Sequence, residues 1–239
     1  MLDDVTVIVP TRDEARNIRP FLASLPPQVP LIVVDASEDD TPDIVMRARP
    51  EQTRILRRPT TVTQARQMGA AMARTTWLLF TDADISFAPD YFQKLMPYLA
   101  GDADLIYGPK QSAGAFVSYY RWFSRGQAVV DRLGIPAATG SNLLIRHAVF
   151  DAVDGFDLRL VVNEDSEIAW RIKRRGFVTR FAPQLVVLAR DHRRLAQGRA
   201  RKTLHSLLRC GLLYTGLMPA RWRSSDWGYW SKRRATRLL

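Results

Sequence analysis

The stretch Thr76-Trp77-Leu78-Leu79-Phe80-Thr81-Asp82-Ala83-Asp84 constrains this chain more than any other. Its leucine and aromatic run reads as a buried strand, and it ends directly on two carboxylates one residue apart. In an open α/β sheet the ligand crevice lies at the carboxyl ends of the strands. Two hard oxygen donors there suit Mg²⁺ or Mn²⁺, which binds one or two carboxylates and fills its shell with water and substrate phosphates. Acids at strand ends are also common in turns, so Asp82 and Asp84 need support from the rest of the chain.

The alternation of elements supplies it. Residues 5–9 predict a first strand that Pro10 closes, and Thr11-Arg12-Asp13-Glu14 opens a helix over 15–25 with Ile18, Phe21, Leu22 and Leu25 on one face. Residues 31–34 form a second buried strand ending in Asp35 and a polar turn, after which Thr41 is the expected cap of a helix with Pro42 at its first position. A strand at 54–56, a helix at 62–73, a helix at 89–99 and a strand at 104–107 complete the pattern. Strands alternating with helices of this length give βαβ units: an α/β fold with a mostly parallel central sheet flanked by helices. No glycine-rich phosphate loop follows the first strand, so phosphates here would be held by a metal and basic side chains.

Apolar content of 46% and charged content of 25% over 239 residues are ordinary for a globular chain. A single cysteine, Cys210, excludes an internal disulfide framework and fits a reducing compartment. The acidic start Met1-Leu2-Asp3-Asp4 does not read as a signal peptide, and Arg209 interrupts the longest apolar run, so no spanning helix is expected. Charge is unevenly placed: residues 1–170 sum to −5 and residues 171–239 to +16, within the total of +11. A basic C-terminal region facing something anionic follows, whether lipid, nucleic acid or phosphorylated substrate.

The order of short motifs resembles glycosyl transferase family 2, inverting enzymes of the GT-A nucleotide-sugar-binding fold. It runs from Val-Ile-Val-Pro-Thr-Arg-Asp-Glu through Val-Val-Asp-Ala-Ser, Ala-Arg-Gln-Met-Gly and Asp-Ala-Asp to Gly140-Ser141-Asn142, Gly155-Phe156-Asp157 and Asn163-Glu164-Asp165. The resemblance covers roughly residues 5–192 and implies a domain at 1–192 with a basic, amphipathic, helical C-terminal appendage at 193–239. It implies that Pro10, Thr11, Glu14, Asp35, Arg66, Asp82 and Ala83 bind the nucleotide-sugar, with Asp84 and His192 at the metal and Asp191 the second candidate beside His192. Gln67 stands where the family carries Asn. Gly140, Ser141, Asn142 and Trp170 would face the acceptor, beside an aromatic insertion at 115–123. Asp165 would be the catalytic base, with Glu164 the alternative. An inverting transfer needs such a base on the acceptor side, while the metal stabilises the departing diphosphate.

The implied activity is metal-dependent transfer from a nucleoside-diphosphate sugar, a UDP-sugar favoured, to a lipid, lipid-linked or cell-envelope glycan. The implied location is cytoplasmic and peripheral on the membrane. A polyprenyl-phosphate acceptor, already ionised and needing no base, is the alternative within this class. A sugar-nucleotide nucleotidylyltransferase is disfavoured because no Gly lies in 10–17, and a nucleic-acid binder because strand-end acids repel phosphate. In the tail, Leu204, Leu207, Leu208, Leu212 and Leu213 recur at helical spacing among Arg and Lys, with Trp222, Trp227 and Trp230 beyond. That stripe suits either an anionic membrane surface or packing on the domain.

Overall fold

The computed structural model describes residues 1–112, 114–190 and 199–225. After a turn of 3₁₀ helix at Leu2–Asp4, the first half alternates strand and helix: β1 (Val5–Thr11), α1 (Ile18–Ala23), β2 (Leu31–Asp35), α2 (Thr41–Ala48), β3 (Thr53–Arg57), α3 (Val62–Met72) and β4 (Trp77–Phe80). The second half holds β5 (Ile85–Phe87), α4 (Tyr91–Leu99), β6 (Leu105–Tyr107), β7 (Lys110–Ser112), α5 (Val117–Arg132), β8 (Leu143–Arg146), α6 (His147–Ala152), α7 (Glu164–Arg174), β9 (Thr179–Phe181) and β10 (Val187–Ala189). Two further helices follow, α8 (Arg199–Tyr214) and α9 (Ala220–Arg223).

Seven strands form the main sheet in the order β3-β2-β1-β4-β8-β6-β9. The β3, β2, β1 and β4 strands are parallel, β8 runs antiparallel to β4 and to β6, and β9 is parallel to β6. A small second sheet, β5-β10-β7, lies beside the carboxyl end of β4. The β1, β2 and β4 strands read as near-continuous apolar runs because both faces of the sheet are covered there. Val5, Val7, Val9, Val33 and Leu79 face one core, and Ile8, Val34, Leu78 and Phe80 face the other. Phe80, Phe150 and Phe156 pack mutually at 5.0 to 5.6 Å and seat α6 on the sheet. Burying each such side chain stabilises the fold by about 1.5–3 kcal/mol.

Three sequence expectations change. Pro10 does not close β1; the strand continues to Thr11, paired with Asp35. Ile8 sends its carbonyl to Thr81 on the β4 side, and Thr11 sends its own to Ala36 on the β2 side. Alternation therefore turns Pro10 toward β4, which has already ended at Phe80, so its missing N–H costs no ladder bond. The first helix starts at Ile18 rather than 15, because the backbone of 13–15 is tied to the neighbouring turn. Asp13 N–H donates to Ser37 Oγ, Glu14 N–H to Thr41 Oγ1 and Ala15 N–H to Asp39. Thr41 is thus drawn away from capping, and Asp40 stands at the N-cap of α2. The expected capping interaction appears instead at α3, where Thr61 and Gln64 make a reciprocal capping box.

Candidate active site

The site grows from β4. Asp82 and Asp84 follow its last residue, and both are half-buried at the carboxyl edge of the sheet. Arg66 reaches Asp82 from α3. It is almost wholly buried, and its guanidinium donates to Asp82 Oδ1 at 2.8 Å, to the Gly140 carbonyl at 3.0 Å and, through its other nitrogen, to Glu164 Oε1. The chain at Gly140 crosses so close over this guanidinium that a Cβ would collide with it, which is why a glycine stands there. Gly140 N–H in turn donates to Asp165 Oδ2 at 2.6 Å. Asp165 Oδ1 accepts from Ser166 N–H at 2.7 Å. Five residues expected from separate stretches of sequence, Arg66, Asp82, Gly140, Glu164 and Asp165, therefore form one hydrogen-bonded group.

Its two adjacent acids differ in surroundings. Glu164 is buried and bound to Arg66, whereas Asp165 is partly exposed and oriented by two backbone N–H groups. Burial pushes the Glu164 carboxyl upward, Arg66 opposes the shift, and the charges of Asp165 and Asp82 add to it. Burial likewise works against the Arg66 cation, but Glu164, Asp82 and Asp165 outweigh it and hold its proton more firmly than usual. Three carboxylates around one guanidinium leave an excess of negative charge, and the most deeply buried of them keeps its proton to higher pH.

At the far end of the crevice, Asp35 ends β2 with its side chain fully buried. Its Oδ1 accepts from the hydroxyls of Thr11 at 2.6 Å and Ser37 at 2.7 Å, and its Oδ2 lies 3.8 Å from Arg57. In this arrangement it ties together the ends of β1 and β2. Glu14 is half-buried and accepts from Asn17 Nδ2 at 2.6 Å. Ala83 is 3% exposed and its methyl packs in the core.

The acceptor-side expectations divide. The Ser141 carbonyl accepts from Thr81 Oγ1 at 3.0 Å beside the group. Asn142 is fully buried; its amide oxygen accepts from Tyr91 at 2.6 Å and its nitrogen donates to the Leu185 carbonyl at 2.7 Å. Both ends of that amide are engaged by the fold. Trp170 stands apart too: its indole donates to the Tyr214 carbonyl at 3.2 Å and its ring packs on Tyr214 at 5.1 Å, so it holds α8. The aromatic insertion is α5, whose Asp131 accepts from Tyr107 and whose Gln127 donates to the Ala137 carbonyl at 2.7 Å. The helix thereby fixes the loop that leads to Gly140. Gln67 accepts from Phe156 N–H at 2.9 Å and lies where a Cβ on Gly155 would fall, a structural role for the residue that departs from the family.

Sequence reasoning missed Lys110, whose Nζ lies 3.9 Å from Asp82 Oδ2. It is carried by β7, three polar residues with no periodicity to betray a strand. The donor set at β4 fits a divalent cation that takes few protein ligands. Two carboxylates flank a chain bend, and among the described residues no cluster of three metal-type side chains competes with them. His192 and Asp191 lie outside the described residues.

The description Glycosyl transferase family 2 matches residues 6–154. A pre-mycofactocin glycosyltransferase of Mycobacterium tuberculosis is 22% identical over 203 residues, 80% of this chain and 43% of that protein. The succinoglycan biosynthesis protein ExoA of Rhizobium meliloti is 27% identical over 192 residues, 72% of this chain and 58% of that one. The chain thus spans about half the length of the curated relatives it matches. Among solved structures, the mannosyltransferase PcManGT of Pyrobaculum calidifontis superposes with a TM-score of 0.67 at 24% identity, covering 78% of this chain and 56% of that one. S. aureus TarS 1-349 does so at 0.63 and 17% identity, covering 79% and 58%.

Proposed function

Since the chain belongs to glycosyl transferase family 2, we propose that it moves a sugar, with inversion, from a nucleoside-diphosphate donor to a lipid, lipid-linked or cell-envelope glycan hydroxyl. PcManGT was solved with GDP-Man and Mn²⁺ and TarS with UDP-GlcNAc, while the two sequence relatives carry names that point to a pre-mycofactocin and to succinoglycan. The observation that carries the reading is the single group running from Asp82 through Arg66 and Gly140 to Asp165.

In this reading the donor lies along the ends of β1, β2 and β4, over Pro10, Thr11 and Glu14, with Asp35 bracing the pocket. Asp84 would hold Mg²⁺ or Mn²⁺, with Asp82 beside it and His192 a further candidate. Such a cation, when bound, supplies charge stabilisation to the departing diphosphate. Lys110 and Arg66 add positive charge on the same side. Asp165 faces the acceptor and takes the proton of its hydroxyl as the oxygen attacks the anomeric carbon and the bond to the diphosphate breaks. The Gly140 and Ser166 N–H groups aim that carboxylate, and a positioned base of this kind contributes roughly 10²–10⁴-fold. Glu164 is the weaker choice for the base because Arg66 and the interior already claim it.

The basic C-terminal region would meet an anionic membrane surface on the cytoplasmic face. Leu204, Leu207 and Leu208 of α8 are 60%, 65% and 53% exposed, while Leu213 is buried against Leu160. In this reading the exposed leucines would meet the membrane, and Leu213 serves the packing. Among the described residues no helix is long and apolar enough to cross a membrane. Incubation with UDP-, GDP-, ADP- and dTDP-sugars and Mn²⁺ tests the reading. Metal-dependent release of one nucleoside diphosphate is expected, and no binding or turnover of any donor would contradict it.

A further inference from the structure

The loop that delivers Asp165 is held from outside the matched family region. Asn163 precedes the two acids at φ 64°, at the N-cap of α7, yet its side chain does not cap that helix. Its amide oxygen accepts instead from Arg209 Nε of α8 at 3.1 Å, and its nitrogen lies 3.6 Å from Cys210 Sγ. Arg209 is a wholly buried arginine in the middle of the leucine stripe. A second nitrogen of its guanidinium donates to the carbonyls of Trp222 at 3.3 Å and Ser225 at 2.8 Å, drawing the segment after α9 onto the same point.

The segment before Asn163 is pinned by the same elements. Arg223 donates to Asp157 at 2.9 Å, and Leu160 is buried against Leu213 and Met218. On its other side Thr63 of α3, one turn before Arg66, donates to the Leu160 carbonyl at 2.6 Å. Residues 157–163 therefore lie between the helix that carries Arg66 and the helix that carries Arg209. A left-handed residue is costly unless its surroundings hold it, and here a buried guanidinium does so. Burying that charge is itself expensive, so a merely cohesive contact would be better made by an apolar side chain.

We propose that Arg209 is a positioning residue for Asp165: it fixes Asn163 and so sets the carboxylate that Gly140 and Ser166 aim at the acceptor. This rests on the reading of Asp165 as the base, and α8 becomes part of the catalytic assembly as well as a surface element. A misplacement near 1 Å costs a positioned reaction roughly 10²-fold.

The test uses the full chain with Arg209→Met, Arg209→Lys and Asn163→Gly. Glycine tolerates the left-handed backbone, so the last variant removes the side-chain contacts to Arg209 and Cys210 without straining the chain. Hydrogen exchange at the Gly140 and Ser166 amides, both bound to Asp165, reads the carboxylate's placement without any substrate. Exchange there should quicken in Arg209→Met and Asn163→Gly while the β1, β2 and β4 amides stay unchanged, with Arg209→Lys between them and wild type. With the donor found by the sugar screen, transfer kcat should fall roughly 10–100-fold and donor KM stay within about twofold. Unchanged exchange at both amides in Asn163→Gly overturns the proposal, and so does exchange that rises uniformly through the sheet. If exchange shifts as expected but Asp165→Asn transfers normally, the positioning stands and the base assignment falls.

Discussion

The two halves of the crevice are built differently. On the side proposed for the donor, Thr11, Asp35, Asp82 and Asp84 follow from neighbouring parallel strands of one sheet, and the sheet itself spaces them. On the side proposed for the acceptor, Gly140 and Asp165 stand on a loop and a helix start, and side chains far apart in sequence hold them. Tyr107 grips Asp131, Tyr91 grips Asn142, Arg66 grips Glu164 and Arg209 grips Asn163. A sheet keeps its geometry when one side chain is lost. A loop held by such contacts does not, so substitutions on the acceptor side should disturb placement and those on the donor side should disturb binding.

Arg66 joins the halves, and its loss should produce the largest effect. Arg66→Met leaves Glu164 and Asp82 facing one another without their shared cation, and removing one partner of a buried pair costs about 3–5 kcal/mol. A urea melt with midpoint near that of wild type would show that the halves do not depend on this residue. Asn142→Ala comes next, because it strands the buried Tyr91 hydroxyl and the Leu185 carbonyl at about 1–3 kcal/mol. Its cost should appear in stability, with transfer by the folded fraction retained; loss of acceptor affinity at unchanged stability would place Asn142 at the acceptor site. Asp84→Asn should act on the other side of the divide. It should abolish most of the Mn²⁺ dependence of nucleoside-diphosphate binding while the melting temperature holds.

Glu164→Gln should give the smallest effect, visible through pH. The native carboxyl is raised, so its stabilising contribution is complete below the unfolded-state value and is lost as pH rises through the native one. Wild type should therefore lose more melting temperature than Glu164→Gln between mildly acidic and mildly alkaline buffer. Parallel pH profiles would mean that Glu164 titrates alike in both states.

The same division explains what the sequence made legible. The first four strands, the acids at their ends and the helix behind Asn163 were all visible, because apolar runs and strand-end chemistry are local signals. The three-residue strands β5, β7 and β9 were not, since β7 is wholly polar, β9 has one apolar residue, and both take their form from neighbouring strands. A motif reports residue type and not the direction of a side chain, so the bonds of Asn142 to Tyr91 and of Trp170 to Tyr214 were not legible in it. Arg209 read as an interruption of an apolar stripe; its partner Asn163 lies 46 residues away, and nothing local links them. That pairing also alters how the tail can be probed. Cutting after Ala220 would remove Arg223 and the Trp222 and Ser225 carbonyls, so membrane contact is better tested with Leu204, Leu207 and Leu208 changed to Ser. Those substitutions should weaken binding to anionic vesicles and leave donor turnover intact; undiminished vesicle binding would locate the membrane contact elsewhere.

The central claim is that Asp165 performs the acceptor-side chemistry while the donor side stands independently of it. Single-turnover transfer by Asp165→Asn, measured beside donor affinity in the same buffer, tests it most directly. Transfer should fall roughly 10²–10⁴-fold while donor affinity stays near that of wild type. Transfer within a fewfold of wild type would contradict it and favour an acceptor, such as a polyprenyl phosphate, that arrives already ionised.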